Sequence, residues 1–287
     1  MAYLGYIAWS LALFVHLLIL RRKQDIWPKW MLTTWHAVGV MFIALIVTWA
    51  VENWVDSVQI LSATWVISTG GLMLTLVAWS LMRWGNRLTW PVQQFPRAYY
   101  SLGLLPIMLA LVSWQFFATS KAGIPSPLNY IPLLNPLDLT QGLAAAVLVY
   151  WLWFINKFVE NKWLSISPIF IASVTALMGF AWINIVIARS VHVFGDVNYS
   201  DYAMLNSSLY QASTSIVWSI IAMVLMLVAY KKASRYFWFA GAGVLAIVVA
   251  KLFCVDLADS GSISRIVSFL AVGGLMLVIG YLSPLPP

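Results

Sequence analysis

The chain has 287 residues, 62% of them hydrophobic and 9% charged, with a formal charge of +7. Soluble domains carry about 25% charged residues, so the composition excludes an ordinary water-soluble globule and makes lipid the solvent for most side chains. The basic residues sit in short clusters between apolar runs, and no stripe is long enough to track a phosphate backbone, which argues against nucleic acid as a partner.

Nine apolar runs follow one another, near residues 3–20, 31–51, 60–82, 99–119, 139–156, 166–188, 208–230, 236–254 and 263–283. Each approaches the roughly 20 residues that a helix needs to cross the hydrocarbon. They are continuous, unlike the short alternating segments of a transmembrane β-barrel. No basic residues precede the first run and no small-residue cleavage site follows it, so it reads as a span rather than a cleaved leader. The 17 tryptophans suit the membrane–water interface. The single cysteine, Cys254, permits no internal disulfide. The expected fold is all-α: a polytopic integral membrane protein, one transmembrane helical domain over residues 1–287, with nine helices.

Charge then orients the spans. Alternate loops hold Arg21, Arg22, Lys23 and Lys29; Arg83, Arg87 and Arg97; Lys157 and Lys162; and Lys231, Lys232 and Arg235, which is 12 of the 16 basic residues. Glu52, Asp56, Asp138, Asp196, Asp201, Asp256 and Asp259 share the other side. The positive-inside rule puts the basic loops in the cytoplasm, the N-terminus outside and the C-terminus inside. A short outside N-terminus is what a C-terminal module of a longer membrane protein would show.

No charged residue falls at the middle of an expected span, which disfavours an ion-coupled carrier. The loop from Ser120 to Leu139 carries Pro125, Pro127, Pro132 and Pro136 among apolar residues, and is expected to pack over the outer mouth or lie in the interface. Within it, Asn135 and Asp138 suit the start of a helix, Asn as cap and Asp in the first turn. The same pair could serve a site. Trp182, Asn184, Arg189 and His192 gather at the outer end of the sixth span. Arg189 and His192 share a face if the helix continues, and cations there also complement the helix dipole. Lys251, Asp256, Asp259 and Arg265 flank a Ser/Gly turn, where Arg265 near a helix N-terminus calls for a compensating carboxylate, such as Asp256. Asn135, Asp138, Asn184, Arg189, His192, Lys251, Asp256 and Arg265 are therefore the candidate outer-face cluster.

Gln211, Ser215 and Ser219, and likewise Thr64, Ser68 and Gly71 with Thr75 nearby, form small or hydroxyl-bearing helix faces of the kind that pack. His16 and His36 lie near the cytoplasmic ends of their spans and could meet, but without a nearby acid they make no metal site. No sequence motif names a reaction or a cofactor.

Six stretches carry a resemblance: Trp90–Tyr99, Tyr130–Leu139, Ala181–His192, Gln211–Trp218, Ala250–Leu257 and Arg265–Pro287, with the ending GYLSPLPP the most specific. Together they resemble the C-terminal part of the predicted membrane proteins grouped as domain-of-unknown-function family 2339. The resemblance implies a bacterial cytoplasmic (inner) membrane and many more spans upstream in typical members. It supplies no catalytic or binding residues. Three functions stay open at this point: handling a lipid-linked or glycan envelope substrate at the outer face, with Arg189, Lys251 and Arg265 holding an anionic headgroup; moving a neutral or lipid-like substrate across the membrane; or assembling a larger membrane complex. The partners expected are membrane lipids and other membrane subunits or upstream helices.

Overall fold

The computed structural model describes residues 2–158 and 166–251, with 266, 270, 273, 274 and 277. These residues form α1 (Ala2–Lys23), α2 (Lys29–Asp56), α3 (Ala63–Trp84), α4 (Leu104–Thr119), α5 (Pro136–Phe158), α6 (Pro168–Gly195), α7 (Asp201–Leu205), α8 (Ser208–Lys231) and α9 (Arg235–Lys251). Six helical stretches among the described residues are long and apolar enough to cross a membrane by length and composition: Lys29–Asp56, Ala63–Arg87, Arg97–Thr119, Pro136–Asn156, Pro168–Gly195 and Ser208–Lys231. The expected ninth run, 263–283, lies outside the continuously described residues. Large apolar side chains such as Phe116, Leu177 and Leu109 are mostly exposed. In water they would be an aggregation hazard, and in lipid they are the solvent-facing surface.

Proline shapes the chain between α3 and α4. Trp90 precedes Pro91 and is held extended, at φ −123° and ψ 137°. A 3₁₀ turn (Gly85–Arg87) and two π-helical stretches (Thr89–Gln93 and Arg97–Gly103) replace continuous α-helix there. Side-chain bonds fix this irregular segment. The Gln93 amide donates to the Asn86 carbonyl at 2.6 Å, Tyr100 donates to the Asn86 side chain at 2.8 Å, and Trp151 of α5 donates to the Tyr100 carbonyl at 3.0 Å.

Backbone contacts divide the chain into two compact units, Met1–Val186 and Ile187–Pro287. In the first, α3 packs against α2, α4 and α5 around a core that includes Val40, Ala44, Ala78, Leu104, Leu111, Ala144 and Phe154. Helix association in lipid gains little from the hydrophobic effect, so small residues and close backbone approach carry it. The α3 face formed by Thr64, Ser68, Gly71 and Thr75 is buried as a packing face, with Ser68 and Thr75 donating to carbonyls one turn back. Trp114 of α4 lies on Gly71 and donates to the Ile67 carbonyl at 2.9 Å. The Glu52 carboxyl of α2 lies on Gly70, so a side chain expected at the outer helix end turns inward along α3.

In the second unit α8 and α9 pair closely. Thr214, Ser215 and Ser219 are buried on α8, and Gly241 of α9 sits where a Cβ would meet Met226 and the Ala222 carbonyl. Ser207 caps α8 by accepting from the Tyr210 amide, and Ser200 caps α7 in the same way. The end of α6 contributes Ile187 and Val191 to a small cluster with Met204.

Candidate functional site

Six of the eight candidate residues fall among the described residues, Asn135, Asp138 and Asn184 in the first unit and Arg189, His192 and Lys251 in the second. In the first unit, Asn135 sits just before α5 and caps it: its side-chain oxygen accepts from the Leu137 amide at 3.3 Å, and its NH₂ donates to the Gly123 carbonyl at 2.8 Å. Gly123 takes φ 74°, the left-handed conformation that glycine adopts without penalty. Asp138, in the first turn of α5, is fully buried and accepts from the Tyr130 hydroxyl at 3.1 Å. Trp182 of α6 donates to the Asp138 backbone carbonyl at 2.8 Å. The site thus gains Tyr130, which sequence reasoning passed over; its only signal was an aromatic hydroxyl eight residues before a buried carboxylate. Asn184 turns along its own helix and donates to the Phe180 carbonyl at 2.7 Å.

The loop ahead of α5 packs through part of its length. Ile131, Leu133 and Leu134 are exposed, whereas Gly123, Pro125, Tyr130 and Asn135 are buried. Its ties run to the start of α3: Ser62 donates to the Ile124 carbonyl at 2.9 Å, and the Trp65 indole to the carbonyls of Pro125 and Ser126 at 3.2 Å.

In the second unit, α6 continues to Gly195, so Arg189 and His192 do lie one helical turn apart. Arg189 is fully buried. The His192 Nδ1–H donates to the Val197 carbonyl at 2.7 Å, closing the chain back on the helix end. Lys251, the last residue of α9, donates to the Gln211 carbonyl and the Ser215 hydroxyl of α8, both at 2.9 Å. Asp256, Asp259 and Arg265 lie outside the described residues. So does the pairing expected of them. Among the described residues no group of three or more His, Cys, Asp and Glu is placed to hold a metal.

A groove of about 870 Å³ runs between α5 and the first half of α6, in the first unit. Gly142, Ala145 and Ala146 form one wall, Thr175 and Gly179 the other, and Trp182 closes it beside Asp138. Only 6% of the apolar stretch of α6 is buried, so this helix is the least enclosed of the candidate spans.

The opposite, basic end holds a second polar cluster that sequence reasoning saw only as two histidines. His36 is buried, stacks on Phe95 at 4.4 Å, and has Nδ1 2.9 Å from the Tyr99 hydroxyl. Arg21 lies over the Trp90 ring, and the Trp90 indole donates to Gln24 at 3.2 Å. His16 packs on Gly39 of α2, one turn beyond His36, and Nε2 of each histidine is buried without a hydrogen-bond partner among the described residues.

A family model described as "Predicted membrane protein (DUF2339)" matches residues 1–286. The chain belongs to this family. The match covers essentially the whole chain and so includes both the candidate polar residues and the Trp90–Tyr99 segment at the basic end. No curated protein and no solved structure matches the chain. This DUF2339 chain is accordingly a membrane protein with several apolar helices, in a family that carries no assigned reaction or substrate.

Proposed function

We propose that this chain is an assembly module of the bacterial cytoplasmic (inner) membrane, whose α5–α6 groove receives a transmembrane helix of another polypeptide segment. The groove's wall chemistry carries this reading. Lipid tails adapt to any apolar surface, but a helix needs small residues to bring its backbone close. Here they recur at helical spacing on both walls, Gly142 and Ala146 on α5 and Thr175 and Gly179 on α6. The outer polar residues suit the same reading. Asn135 and Asp138 are buried and engaged within the protein, as structural pegs are.

A second reading draws on where the groove ends. Its Trp182 end lies beside Asp138, so a lipid-linked or glycan substrate could place its hydrocarbon in the groove and its headgroup at the outer face. One experiment separates the two. A photo-cross-linking amino acid is placed at Ala146 or Gly179 and activated in intact cell membranes. The assembly reading expects a discrete protein adduct, resolved by mass. Lipid adducts alone would overturn it and support the substrate reading.

A further inference from the structure

A different groove, of about 750 Å³, lies between α2 and α3 at the basic end. On α2 it is lined by Val40 to Val47, and on α3 by residues from Met73 to Trp84. Glu52 of α2 packs on Gly70 of α3, which fixes the level of the two antiparallel helices. The groove therefore begins near mid-span and runs only toward the end where Arg83 and Arg87 follow. At 1.5 Å per residue its α3 wall is about 16 Å long. That is about half of the ~30 Å hydrocarbon, the depth of one leaflet.

The groove's polar features are few and point one way. Tyr99 lies at its inner side, with its hydroxyl already engaged by His36. Trp84 is part of the rim, 43% exposed and set edge-on to Trp79, in keeping with the interface level. Arg87 also lines the groove, is exposed, and makes no side-chain hydrogen bond or ion pair among the described residues. An apolar channel one leaflet deep, ending in an exposed guanidinium at the interface, has the charge and shape of a single lipid's counterpart. A guanidinium binds a phosphate through two parallel hydrogen bonds. A neutral helix or a second copy of this face would leave that cation unanswered.

We propose that the α2–α3 groove binds one anionic phospholipid of the leaflet on the Arg87 side, its phosphate on Arg87 and one acyl chain along α3 from Ser80 toward Met73. The site is independent of the α5–α6 groove and does not rest on the function proposed for it.

The test reads local lipid at the groove. Ser80→Cys in a Cys254→Ser background carries a bimane fluorophore, and the full chain is reconstituted in phosphatidylcholine vesicles. Quenching is compared between equal amounts of tail-nitroxide phosphatidylglycerol and tail-nitroxide phosphatidylcholine. The anionic lipid should be enriched about fivefold at Ser80, the factor that follows from about 1 kcal/mol per basic residue near an anionic surface. Arg87→Gln should abolish the preference and Arg87→Lys should keep most of it. A label at Leu109→Cys, on the exposed face of α4, should show none. Equal quenching by the two lipids at Ser80, weak quenching by both, a preference that survives Arg87→Gln, or the same preference at Leu109 would each overturn the site. Should Arg87→Gln fail to fold, raised salt on the otherwise unaltered protein must erase the Ser80 preference, because the charge is exposed and screened; persistence would equally overturn it.

Discussion

Gly71→Ala should be among the most damaging small substitutions in the first unit. A Cβ at this position would overlap three atoms of the Trp114 ring, Cε2, Cζ2 and Cη2. These belong to a rigid indole, not to the far end of a flexible chain. Forcing extra volume into packed side chains costs about 1–3 kcal/mol. If the ring swings away, it also gives up its hydrogen bond to the Ile67 carbonyl, worth about 0.5–1.5 kcal/mol more. The expected total is about 2–4 kcal/mol, summed from those two terms. Gly179→Ala is the matched control, because nothing lies within 4 Å of a Cβ there. On a helix that change should be neutral or slightly stabilising, since alanine is the better helix former.

The assay is reversible unfolding in mixed micelles of Gly71→Ala, Trp114→Phe and the double variant. Trp114→Phe loses the indole N–H and the ring atoms that meet the new methyl. The cost of Gly71→Ala should then fall by about 1 kcal/mol or more in the Trp114→Phe background, as contacting residues couple. If Gly71→Ala proves as mild as Gly179→Ala, or costs the same in both backgrounds, the close approach of α3 and α4 at Gly71 is refuted.

Topology gives a second prediction: single cysteines beside Arg22, Arg87, Lys162 and Lys232, in a Cys254→Ser background, should resist a membrane-impermeant thiol reagent in intact cells, and ready labelling would invert the orientation. A third concerns the loop ahead of α5. Asn135→Ala removes a helix cap and the tie to the Gly123 carbonyl, so it should cost about 1–2 kcal/mol and speed amide exchange at Leu134 and Leu137; unchanged exchange would show that the loop is held elsewhere.

The described helices were legible because a long apolar run has one cheap fate in lipid, that of a helix with every backbone group bonded internally. Their ends were less so. α2 continues to Asp56 and α6 to Gly195, beyond the apolar runs, because polar residues at the interface do not stop a helix. The fourth run was expected as a helix from residue 99, yet regular α-helix starts at Leu104. Pro91 and Pro96 were visible in the sequence, but the π-helical path by which the chain recovers from them was not. The cap at Asn135 was legible from residue type alone, since a short polar side chain ahead of Pro136 has few better uses. Ile131, Leu133 and Leu134 are exposed, which suits a loop lying in the membrane interface. Apolar loop residues must be buried in a soluble protein, whereas at a membrane surface lipid can serve in place of a core. Contacts such as His36 with Tyr99, 63 residues apart, leave no periodic trace.

That substitution of lipid for core changes which residues carry information about function. Apolar side chains are satisfied on either side of a helix wall, so their positions say little about ligands. Polar side chains are not, and each must be accounted for. Asn135, Asp138, His192 and Lys251 spend their hydrogen bonds on helix starts, helix ends and the α8–α9 pair. Substituting them should register first as lost stability. Arg87 spends none among the described residues and lines an apolar groove. Its replacement should leave the fold nearly as stable, because an exposed cation contributes little to it, and register instead in which lipid occupies the groove. Stability and lipid preference are therefore separate readouts, one for those four residues and one for Arg87. A variant at Arg87 that destabilised the chain without changing lipid preference would reverse that assignment.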